Sequence, residues 1–72
     1  MTILTIAGAL EAATKRLSAA GVENPQFDSR LLLCHAADIE QVTVFTHPNR
    51  ELHAQIFQSY EALIERRALR EP

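Results

Sequence analysis

Apolar residues recur along the chain in steps of three and four. From Ile6 they fall at Leu10, Ala13, Leu17 and Ala20, with Glu11, Lys15 and Arg16 between them, the spacing of one face of an amphipathic helix. Thr5 can cap its start. Gly21 stands just past the last periodic residue, where a left-handed backbone closes a helix at no steric cost to glycine. In the stretch "ENPQFD", Asn24 before Pro25 puts a preferred capping side chain at N-cap and proline at the first helical position. This predicts a second helix over about 25–37, with Phe27, Leu31, Cys34 and His35 at helical spacing and Leu32 and Leu33 widening the face. Glu23 and Asp28 add negative charge near its positive end. If the cap is made, Asn24→Ala costs on the order of 1 kcal/mol.

The segment "VTVFT" is rich in β-branched residues, which favour strands. A lone strand would leave its backbone groups without partners, and no other part of the chain offers a second one. Asp38, three residues before Gln41, resembles a capping box, and Ile39, Val42 and Phe45 share a helical face. The prediction is a short helix over about 39–46, stopped by Pro48. A long helix follows over about 54–69, with His53 at its cap position and an apolar stripe of Ile56, Phe57, Tyr60, Leu63 and Ile64. The fold class expected is all-α, a small antiparallel bundle of four to five helices joined by short loops. Leu10, Leu17, Phe27, Leu31, Ile56 and Leu63 are its expected core. On that assignment Leu31→Ala costs roughly 2 to 5 kcal/mol.

Length and charge narrow the function. Seventy-two residues make a single domain, 1–72, and a chain this short buries only about 60% of the surface that its unfolded form exposes. The formal charge of −2 removes the electrostatic basis for general nucleic-acid binding, so neither direct nucleic-acid contact nor a helix-turn-helix reading is favoured. For DNA reading, the segment after Pro25 offers mainly Gln26, Ser29 and Arg30. No apolar run approaches the roughly 18 residues of a membrane span. The single Cys34 forms no internal disulfide and no leader pattern opens the chain, so the expected compartment is the cytoplasm.

Candidate chemistry is sparse. Cys34, His35, His47 and His53 are the only soft or imidazole ligands, and adjacent helical residues such as Cys34 and His35 point about 100° apart, which argues against a shared metal ion. Gly8 and Gly21 are the only glycines, too few for a phosphate- or cofactor-cradling loop. No catalytic, cofactor-binding or metal-ligating residue is therefore assigned. Asp28, Asp38, Glu40, Glu51, Glu61 and Glu65 read as capping or solvated carboxylates. Arg66, Arg67 and Arg70 cluster in the last turns of the final helix, where cations complement the dipole and where arginine also suits an interface. Together with Tyr60 they form the candidate partner-binding face.

The segments "LSAAGVENPQFDSRLLLCHA", "FTHPNREL" and "ALIERRALREP" resemble, in order and spacing, the N-terminal helical domain of the release-factor glutamine methyltransferases, the HemK or PrmC family. The markers are Pro25, Asp28, Leu32, Leu33 and His35, then Leu52, then Arg66 and Arg67 before Glu71 and Pro72. The resemblance implies an enzyme that uses S-adenosylmethionine to methylate the glutamine of the Gly-Gly-Gln motif in peptide chain release factors. This chain would be its first domain, recognising or positioning the release factor. The Rossmann-like catalytic domain would be absent, and with it all activity and cofactor binding. Expected partners are the release factor and that missing domain. "NPQF" is a chance likeness to the family's catalytic Asn-Pro-Pro-Tyr loop, since it lacks the second proline and lies in the helical domain. Asp38 and Arg70 depart from the pattern, standing where relatives commonly carry glycine. The alternative is a helical protein-interaction module or a helix-turn-helix-like DNA-binding domain.

Overall fold

The computed structural model describes residues 4–69. Four helices follow in order: α1 (Ile6–Ala19), α2 (Pro25–Ala37), α3 (Gln41–Thr46) and α4 (Ala54–Ala68). The fold is all-α. Helices α1, α2 and α4 pack pairwise on one another, and α3 rests on α2.

The start of α1 shows how a distant turn completes a helix. The first N–H groups of a helix have no partner within it. Here Ile6 N–H donates to the carbonyl of Arg50, and Ala7 N–H to that of Pro48, each at 2.9 Å. Gly8 N–H donates to the Thr5 Oγ1 at 3.1 Å, so Thr5 is the cap that the sequence predicts. A single antiparallel bridge between Thr5 and Glu51 fastens the same junction. The segment after α3 is therefore part of the cap of α1, and "VTVFT" is helical.

At its far end α1 closes as expected. Gly21 takes a φ of 83° and donates to Ser18 O, while Val22 N–H reaches back to Leu17 O at 3.0 Å. This is the Schellman arrangement, and Val22 and Leu17 are both buried beside it. Helix α2 ends instead on Asp38, whose φ of 54° is left-handed. Asp38 was expected to open the next helix; it closes the previous one, and α3 begins at Gln41 with Glu40 at its cap and no side-chain cap bond. A left-handed backbone is one that glycine adopts without strain and other residues do not, so Asp38 sits in a position better suited to glycine.

The core gathers Ile6, Ala9, Ala13 and Leu17 from α1, then Val22, Leu33 from α2, Val44 from α3, and Tyr60 and Ile64 from α4. Leu17 is buried as expected, whereas Leu10 only packs against the margin and Ile56 and Leu63 are half-buried. Phe27 and Leu31 contradict the expectation, at 48% and 39% exposed. The reason is the rotational phase of α2: its buried line runs through Ser29 and Leu33, and residues 27 and 31 lie nearly opposite at 100° per residue. Asn24 is also corrected. Its backbone carbonyl accepts the first helical bond from Asp28, but its side chain makes no cap bond.

Candidate functional site

Helix α4 carries its cations in the final turn, where they face the negative end of the helix dipole. Arg66 and Arg67 are both exposed. Arg67 Nε donates to Asp28 Oδ2 at 2.9 Å, which ties the end of α4 to the first turn of α2. Two positions earlier, Glu65 Oε1 accepts from Arg16 of α1 at 2.6 Å. Exposed pairs of this kind contribute about 0 to 1 kcal/mol each, so they orient side chains more than they stabilise the fold. The surface is thus a mixed-charge rim in which Arg66 has no ion-pair partner among the described residues. Arg70, the third arginine of the expected face, lies outside the described residues.

Tyr60 does not belong to this surface. It is 1% exposed, and its hydroxyl donates to the Ser29 carbonyl at 3.0 Å. A ring so enclosed has nothing to offer a partner, so its place in the expected contact face is corrected. Burial drives its pKa well above that of an ordinary tyrosine, more than the hydrogen bond to Ser29 lowers it. Ser29 itself is fully buried: its hydroxyl donates to Pro25 O at 2.6 Å and accepts from Thr14 Oγ1 at 3.2 Å. One residue of α2 thereby joins α1 and α4. With Ser29 enclosed, α2 lacks a surface residue that a DNA-reading helix would have used.

On the opposite flank of α2, Arg30 lies over the Phe45 ring of α3, with its guanidinium carbon 5.1 Å from the centroid. The geometry is a cation–π contact. Arg30 and Phe45 both line a groove of about 510 Å³ whose wall also includes Leu10, Val44 and Pro48. The spacing of Ile39, Val42 and Phe45 predicts an apolar helix face, but nothing in it ties Arg30 to Phe45; a lone arginine one position before three leucines is the available signal. Burial raises the Cys34 thiol pKa, partly offset by the charge of Arg30, so the reactive thiolate is disfavoured. Among the described residues no three of His, Cys, Asp and Glu converge as a metal site, and no helix is long and apolar enough to cross a membrane.

Comparison with known proteins places this helical unit. Residues 8–72 match the family model described as the PrmC N-terminal domain. The chain is 42% identical over 69 residues to the release factor glutamine methyltransferase of Caulobacter vibrioides, covering 96% of this chain and 24% of that protein. The proteins of the same name from Vibrio cholerae and Koribacter versatilis are 36% and 35% identical, each over 96% of this chain and 24% and 25% of the relative. The chain therefore spans about a quarter of the length of these curated relatives. No solved structure matches it. With residues 8–72 matched throughout, the chain belongs to the PrmC N-terminal domain family.

Proposed function

We propose that this chain is the substrate-recognition and positioning domain of a protein-(glutamine-N5) methyltransferase, and that it holds a peptide chain release factor while a separate catalytic domain methylates the Gly-Gly-Gln glutamine. The observation that carries the reading is the match of residues 8–72 to the PrmC N-terminal domain, together with relatives named release factor glutamine methyltransferase. The exposed Arg66 and Arg67 at the end of α4 support it, because arginine is the charged residue best suited to interface contacts.

Catalysis and cofactor binding belong on this reading to the domain that accompanies this one, in the cytoplasm where release factors act. S-adenosylmethionine, the implied methyl donor, does not fit the residues present. Gly8 lies inside α1, with Thr5 Oγ1 3.3 Å from where a Cβ would stand, and Gly21 forms the turn after α1, so neither builds a cofactor loop. No chemical step is assigned to this chain.

The test is an NMR titration of the isotopically labelled chain with purified release factor in one tube and S-adenosylmethionine in another. Amide shifts with the release factor and none with the cofactor are expected. Silence with the release factor would count against recognition by this domain, and cofactor-induced shifts would overturn the division of labour.

A further inference from the structure

The face formed by α1, α2 and α3 carries a feature that the arginine end of α4 does not use. Beside the groove of about 510 Å³ lies a second hollow of about 400 Å³, at the start of α2 next to Asn24 and Phe27. Thr14, Gln26 and Arg30 line both, so the two form one elongated depression with Arg30 at its waist. Each end carries a ring open to solvent, Phe45 at 62% exposed and Phe27 on the other side.

Arg30 is the chemically distinctive group in it. Its Nε is buried yet has no hydrogen-bond acceptor among the described residues. A buried donor without a partner is unfavourable, and in native proteins nearly all such groups are satisfied. The guanidinium is held in place by the Phe45 ring rather than by an acceptor, so it is positioned before any ligand arrives. It presents a planar fork suited to a carboxylate, with apolar side chains on the floor beneath.

We infer that this depression seats a segment of the release factor in which one carboxylate side chain is flanked by apolar residues. The carboxylate accepts from Arg30, and its apolar neighbours lie against Phe45, Leu10 and Val44. The inference rests on the proposed function for the identity of the partner, and adds the surface and the chemistry. Charge selects this occupant over others. Glu11 and Lys15 on the same wall pair with each other at 3.6 Å, which leaves the one positive charge of Arg30 in the groove, a match for a single carboxylate rather than for a polyanion such as a phosphate cluster. A second copy of the chain, itself at −2, approaches against net repulsion.

The deciding experiment repeats the release-factor titration with the labelled wild-type chain, with Arg30→Gln, and with Arg66→Gln/Arg67→Gln. Unmoved amide signals in the core establish that each variant is folded. Shifts are expected at Leu10, Arg30, Val44 and Phe45, with binding roughly tenfold weaker in Arg30→Gln, the usual size for one well-placed charged contact. Arg30→Lys should recover only part of the loss, because it keeps the charge without the fork. Shifts confined to the Arg66 and Arg67 end, with Arg30→Gln binding normally, would overturn the groove and leave release-factor recognition standing. No shift anywhere would overturn both. Groove shifts that grow with chain concentration in the absence of release factor would assign the groove to a second copy and overturn the inference.

Discussion

Ser29 settles the phase of α2, although it is the polar member of an otherwise apolar contact. Its hydroxyl satisfies Pro25 O and accepts from Thr14, and its carbonyl takes the Tyr60 hydroxyl as a second donor, so no polar atom of this residue is enclosed without a partner. That arrangement turns Leu33 inward and Leu31 outward. Leu33→Ala is therefore expected to cost about 2 to 5 kcal/mol in urea unfolding, as large-to-small changes in a filled core do. Leu31→Ala should cost under about 1 kcal/mol, because much of its surface is already in water. Equal losses in the two variants would contradict the phase. The same measurement separates the helix caps: Thr5→Ala removes a side-chain bond to Gly8 and should cost about 1 kcal/mol, while Asn24→Ala removes none and should stay within about 0.5 kcal/mol.

At the scale of elements, much of the pattern could be read from spacing alone. Thr5, Gly21 and Pro25 mark helix ends by backbone chemistry that acts locally, and the structure puts those boundaries within a residue of expectation. Asp38 misled because a carboxylate three residues before Gln41 looks like a start, whereas its backbone is the left-handed residue that ends α2. This conformation yields a prediction. A left-handed L-residue is strained by about 1 kcal/mol or more, and a carboxylate at a helix C-terminus opposes the dipole. Against that, glycine gives the unfolded chain about 0.4 to 1 kcal/mol of extra entropy. Asp38→Gly should raise the stability by about 1 kcal/mol, visible as a higher thermal midpoint; a lower midpoint would show that the Asp38 side chain makes a compensating contact. In α2 the run Leu31-Leu32-Leu33 offers three consecutive apolar positions, so periodicity could not choose the buried one. The candidate site divides in the same way. Arg66 and Arg67 were legible because a helix end is a local feature. The groove at Arg30 was not, since it exists only once α3 folds back over α2.

For the whole molecule, the contact between Tyr60 and Ser29 links the stability of the bundle to pH. Tyr60 is the only tyrosine, so its ionisation can be followed without interference. Burial raises its pKa in the folded chain, whereas the unfolded chain titrates near the ordinary value of about 10. Below that pH both states keep the phenolic proton and the contribution to stability is whole. Above it the unfolded chain releases the proton and the folded chain retains it, so the unfolded state gains and stability falls as pH rises. A difference of one proton lowers the unfolding free energy by up to about 1.4 kcal/mol per pH unit, which is large against the margin of a domain this short. The tyrosinate absorbance should therefore appear together with the loss of helical circular dichroism, in one transition above pH ~10. Tyr60→Phe should remove that contribution to the slope while costing about 0.5 to 1.5 kcal/mol at neutral pH for the lost hydrogen bond. If the absorbance instead rose near the ordinary tyrosine value while the helices stayed intact, Tyr60 would be reaching solvent in the folded chain, and the buried tie between α2 and α4 would not be what holds the bundle together.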